Sequence, residues 1–137
     1  MDKFLVLTVV FQVLLISVIL VVMGRRRFAA ARNKEIHLAA FRTMDLAGAN
    51  ERVITASRNF DNQFQMPMLF IFGVLFVLQF GFADFVFVLL ASIFVVLRLL
   101  HAVVHLTTNH VRQRFNLFLA SCVVLWVFWI RFAIELI

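Results

Sequence analysis

The chain has 137 residues, of which 64% are hydrophobic and 15% charged, and its mean hydropathy is +1.03. Soluble domains average about 45–50% apolar and about 25% charged residues, so this composition excludes a globular protein in water and points to a bilayer. A spanning helix needs about 20 apolar residues, so the length admits about four spans with short connections and excludes a large soluble domain.

The formal charge of +6 is read as positive charge on cytoplasmic loops, because no soluble basic module is present to carry nucleic acid. One Pro, four Gly and a single cysteine, Cys122, in an apolar stretch exclude collagen-like and disulfide-scaffold classes.

Phe4 to Met23 is apolar apart from Thr8, Gln12 and Ser17, and it stops at Gly24-Arg25-Arg26-Arg27. It lacks a basic n-region and a small-residue cleavage site, so the first span is expected to be a retained helix and not a signal peptide. Phe28 to about Asn50 is mixed and polar, with Arg32, Lys34, Glu35, His37, Arg42, Asp45 and a turn-forming Gly48. This is the first loop.

Polar but helix-compatible sequence from Glu51 to Gln65 passes directly into apolar Met66 to Phe80, with Pro67 at the join. The expectation is one long helix, kinked where Pro67 removes a backbone donor. Gly81-Phe82-Ala83-Asp84 reads as a tight reversal, and Phe85 to Leu100 as a third span that continues through His101 and His105. A second polar loop follows from Leu106 to Gln113. The fourth span runs from about Arg114 to Arg131, with Trp126 and Trp129 near its far end, where indole rings favour the headgroup level. The apolar runs are continuous and do not alternate, so the fold class is all-α, an integral membrane four-helix bundle formed by residues 1–137 as one domain.

Arg25, Arg26, Arg27, Arg32, Lys34, Arg42, Arg52, Arg58, Arg98, Arg112 and Arg114 fall on one side and Lys3 and Arg131 on the other, a division of 11 to 2. The positive-inside rule makes the first side cytoplasmic and sends both termini to the opposite side.

Ionisable residues at the edge of a span are costly and are candidates for function. Thr55, Asn59 and Asn62, and likewise Arg58, Asn62 and Gln65, recur at helical spacing and are expected to share one polar face. The bland reading of that face is a solvated extension of the helix, and that of Arg98 is snorkelling to the headgroups. Arg98, His101 and His105 also share a face. The two histidines have metal-ligand spacing, but neither an HExxH motif nor a nearby carboxylate accompanies them, so no metal site is assigned. Arg112 is read as an anchor among headgroups. Arg114, at the start of the fourth helix, carries a permanently charged fork that can hold an anion and lower a thiol pKa.

Three segments resemble the MAPEG family, the membrane-associated proteins in eicosanoid and glutathione metabolism: Glu51-Arg52-Val53 through Arg58-Asn59 to Pro67; Arg98-Leu99-Leu100-His101 with His105; and Asn109-His110-Val111-Arg112-Gln113-Arg114. The resemblance covers essentially the whole chain and reads as that of a bacterial, inner-membrane member. It implies a homotrimer with glutathione bound between subunits at the cytoplasmic side. By position, Arg114 matches the arginine that stabilises the glutathione thiolate. Arg58 and Asn59 match residues that hold the peptide, Arg98 and His101 match positions lining the same site, and Arg27 matches an arginine of helix one. The chain departs from the family where Asn62 replaces a glutamate, Thr55 an arginine and His105 a tyrosine, and it contains no tyrosine at all. Asn62 and His105 retain hydrogen-bonding capacity toward the ligand.

The function implied is a membrane-bound, glutathione-dependent transferase or peroxidase. Its second substrates would be lipophilic electrophiles or lipid hydroperoxides that partition into the bilayer. The alternative is a non-catalytic trimeric membrane subunit or lipid-binding scaffold of the same fold.

Overall fold

The computed structural model describes residues 1–37, 39–44, 46 and 48–137. Its elements are α1 (Asp2–Arg32), α2 (Ala40–Thr43), α3 (Glu51–Gln63), α4 (Met66–Gln79), α5 (Phe85–Leu106) and α6 (Val111–Glu135). The protein is all-helical. Among the described residues, four segments are long and apolar enough to cross a membrane: α1, α3 continued into α4, α5 and α6.

With 31 residues, α1 is about 46 Å long, whereas the hydrocarbon core is about 30 Å thick. Helix therefore persists through the three arginines and beyond Phe28, where the sequence reading already placed loop. Within that loop, α2 contributes a single turn and Gly48 takes φ +87°; Asp45, one of its charged residues, lies outside the described residues. The second loop is also shorter than expected, because α5 runs to Leu106 and α6 begins at Val111.

The expected single kinked helix is instead two helices, interrupted at Phe64 and Gln65. Pro67 occupies the first turn of α4, where its missing N–H costs nothing, because the opening donors of a helix have no partner there in any case. Gly81, at φ +73°, makes the reversal into α5, and Asp84 caps that helix by accepting from the Phe87 N–H at 2.9 Å.

The interior is divided by polarity along the bundle. Toward the end that carries the termini, the core is aromatic and aliphatic: Phe70 stacks on Phe94 with ring centroids 4.5 Å apart, and Phe87 meets Phe128 edge to face at 5.0 Å. Arg131 closes this end by pairing with Asp84 and Glu135 while lying 4.6 Å over the Phe87 ring. Toward the arginine-rich end, the buried residues become Gln12, Asn59, Gln63, Arg98, His101 and His105. Large apolar side chains such as Phe4, Phe11, Phe72 and Trp126 cover the outside.

Candidate functional site

At the basic end, side chains knit the helix termini together. Asn50 caps α3 by accepting from Val53 N–H at 3.0 Å, and its own amide donates to Glu35. Arg26 donates to the carbonyls of Arg52 (3.1 Å) and Leu106 (2.9 Å), tying α1 to the start of α3 and the end of α5. Arg27 gives two bonds to Ser57 Oγ, from Nε at 3.1 Å and Nη2 at 2.9 Å, and lies 5.7 Å over the Phe41 ring.

Deeper in the bundle, a chain of amides crosses three helices. Gln12 Nε2 on α1 donates to Gln63 Oε1 at 3.2 Å. Gln63 Nε2 donates to Asn59 Oδ1 at 3.1 Å, and Asn59 Nδ2 donates to the Ala102 carbonyl of α5 at 3.2 Å. All three side chains are fully buried, so leaving any of these groups unpaired would carry the full desolvation cost.

The polar face expected on helix two therefore divides. Thr55 and Asn59 turn inward and are buried, Arg58 is exposed, and Asn62 is half-buried on the side facing α6. Asn62, His101 and Arg114, with Val111, Phe115 and Phe118, line a groove of about 210 Å³ between α3, α5 and α6. His101 Nδ1 lies 3.0 Å from the Arg114 carbonyl. A carbonyl can only accept, so Nδ1 carries the proton and Nε2 is left as an acceptor; it has no partner among the described residues.

Arg98 lies behind the groove. It is fully buried, donates from Nη2 to the Asn62 carbonyl at 3.1 Å, and holds its guanidinium 5.8 Å from the Phe118 ring. It does not snorkel: its Nε and Nη1, like His105 Nδ1, are enclosed and find no partner among the described residues. Arg114 is oriented from the loop. Its Nη1 donates to Asn109 Oδ1 at 2.6 Å, and Asn109 Nδ2 in turn donates to Glu51 Oε1 at 2.9 Å.

Of the residues singled out in the sequence, the groove gathers Asn62, His101 and Arg114, with Arg98 directly behind and Arg58 one turn away along α3. Asn59 and Arg27 are engaged within the bundle, and His105 is buried one turn beyond His101, with ring centroids 5.7 Å apart. The sequence reading missed Gln63, Asn109 and Ser57. The available signals were the four-residue spacing of Asn59 and Gln63 and a glutamine set in the apolar run of α1.

The arrangement is a cationic recess with apolar walls, suited to an anion whose remainder is lipophilic or meets a lipophilic partner. The model of the MAPEG family matches residues 4–134 of the chain. Comparison with curated proteins and with solved structures returns no match.

Proposed function

The chain belongs to the MAPEG family, and from that footing we propose that it is a membrane-bound, glutathione-dependent transferase or peroxidase. Its second substrates are lipophilic electrophiles or lipid hydroperoxides that reach it through the bilayer. The observation that carries this reading is the groove in which Arg114, His101 and Asn62 meet between apolar walls.

A free thiol has a pKa near 8.5 and is mostly protonated at neutral pH. The Arg114 guanidinium, aimed by Asn109, stabilises the thiolate through charge and directed N–H bonds, while His101 and Asn62 hold the peptide. Preorganised stabilisation of this kind is worth about 100-fold to 1000-fold in turnover per donor. At about 210 Å³ the groove is smaller than the roughly 300–1,000 Å³ of usual ligand cavities. A second wall from a neighbouring copy completes it, which fits a homotrimer with the exposed Arg58 near the shared boundary. In this reading the basic end faces the cytoplasm of a bacterial cell, and both termini lie across the inner membrane.

One observation favours the scaffold alternative. Asn59, expected to hold the peptide, is spent on Ala102 and Gln63 inside the subunit. Calorimetric titration of glutathione into detergent-solubilised protein, repeated in buffers of different ionisation heat, separates the two readings. An enzyme of this type binds glutathione and releases a proton as the thiolate forms. A scaffold gives no binding heat, and that result would remove the enzymatic reading.

A further inference from the structure

Among the described residues, the charged groups that line the groove or touch its lining from behind are positive, and Glu51 stands outside the lining, two hydrogen bonds from Arg114 through Asn109. Arg114 lines it, Arg98 touches Asn62 and Phe118 from behind, and Arg58 precedes Asn62 by one turn of α3. The chain has seven carboxylates, and those within the described residues can be followed one by one. Asp2, Asp84 and Glu135 belong to the opposite end of the bundle. Glu35 accepts from Asn33 and Asn50, and Glu51 from Asn109. Asp61 is exposed and points about 100° around α3 from Asn62, away from the groove lining; Asp45 lies outside the described residues.

Asn62 supplies an uncharged amide at the one helix-α3 position that lines the recess. Its nitrogen donates to a carboxylate as well as its oxygen accepts from an ammonium. The surrounding guanidinium groups break that symmetry, since they attract the first and repel the second. Arg98, enclosed and with no acidic partner among the described residues, is screened least by salt.

Resting on the thiol-binding reading of this same site, we propose that the groove selects anionic thiols that lack a free ammonium group. These are peptide-like thiols with two or more carboxylates and an acylated or absent amine, and Asn62 sets the preference.

The test is titration of glutathione and of N-acetylglutathione, whose amine is blocked, into solubilised wild type, Asn62→Glu and Asp61→Asn at one pH and salt. Wild type is expected to bind the blocked peptide about tenfold tighter than glutathione. Asn62→Glu keeps the backbone carbonyl used by Arg98 and is expected to invert the order, favouring glutathione by about tenfold, or about 1.4 kcal/mol. Asp61→Asn should leave the wild-type ratio unchanged. Wild type binding the two peptides equally or favouring glutathione, an Asn62→Glu ratio equal to that of wild type, or a ratio that shifts in Asp61→Asn would each overturn the proposal while the thiol reading stands. Failure of both peptides to bind wild type would instead overturn the thiol reading and this proposal with it.

Discussion

Arg98 Nη2 donates to the carbonyl oxygen of Asn62 at 3.1 Å, reaching from α5 to the last turn of α3 just before that helix stops. In a continuous helix this carbonyl would accept from Met66 and that of Gln63 would look to residue 67, where proline has no N–H. The interruption at Phe64 and Gln65 thus has two halves, a donor that Pro67 lacks and a carbonyl that Arg98 satisfies. A cation at a helix C-terminus also complements the macrodipole.

That bond does not make Arg98 a stabilising residue. One hydrogen bond to a charged group contributes about 1.5–3 kcal/mol, whereas an enclosed ion without an opposite charge costs several kcal/mol. Arg98→Met is therefore expected to leave thermal stability in detergent unchanged or raise it by about 1 kcal/mol, and to weaken thiol binding. A melting temperature that falls by more than about 5 °C would reverse the balance of these two terms.

The amide chain should behave in the opposite way. Asn59→Ala removes the bond to Ala102 and the side-chain acceptor of Gln63 Nε2, which keeps only the Asn59 backbone carbonyl at 3.3 Å, and is expected to cost about 1–3 kcal/mol. The direct coupling of Gln12 with Gln63 is smaller, because separated helices in a membrane find other partners. A double-mutant cycle with Gln12→Leu and Gln63→Leu should give about 0.6 kcal/mol. A coupling near zero would show that the two amides are no better paired with each other than elsewhere.

Gly73 and Gly24 form a natural contrast. A Cβ on Gly73 would lie 3.0 Å from Phe128 Cε1 and 3.3 Å from Trp129 Cε2, both ring atoms of α6. Phe128 is itself wedged against Phe70 and Phe87, so Gly73→Val should overpack the α4 to α6 contact and cost about 1–3 kcal/mol. A Cβ on Gly24 meets nothing within 4 Å, so Gly24→Ala should gain up to about 1 kcal/mol of helix propensity. Chemical or thermal unfolding of both variants in one detergent measures the difference.

Arg114 and Arg112 are separated by a single residue but differ in environment, half-buried at the groove against exposed. Arg114→Ala is expected to abolish the ultraviolet thiolate absorbance of bound glutathione and to reduce turnover by about 100-fold or more. Arg114→Lys should retain part of both, since it keeps the charge but loses the planar fork. Arg112→Ala should change insertion or lipid contact alone. A thiolate signal undiminished in Arg114→Ala would remove Arg114 from the mechanism.

The division of 11 basic residues to 2 also predicts sidedness. Cysteines placed at Lys3 and Ile137 should be labelled by an impermeant reagent only from the non-cytoplasmic face. Labelling from the cytoplasm would invert the orientation.

Much of this was legible in residue order alone. Span count, all-helical class, the turn at Gly81 and the gathering of polar helix ends on the basic side follow from hydropathy and charge, which are local properties of consecutive residues. Arg114, His101 and Asn62 were legible for the same reason, as polar groups at the ends of apolar runs. What only the tertiary structure decided is direction around each helix. Where a helix is apolar on all sides, as in α1 and α4, no stripe marks the face that meets a neighbour. The inward turn of Gln12 was therefore open until α3 was packed against α1. Consecutive residues diverge by 100°, so the run Arg25, Arg26, Arg27 could not say which arginine serves which helix. Packing leaves Arg25 exposed, sends Arg26 to the backbones of α3 and α5, and sends Arg27 to Ser57. Asn59 and Arg58 part in the same way, one into the core and one to the surface. The break after Gln63 needed more than Pro67, since proline is equally at home in a kink and in the first turn of a new helix. The buried guanidinium of Arg98, supplied from 36 residues further along the chain, meets the carbonyl that the break leaves open.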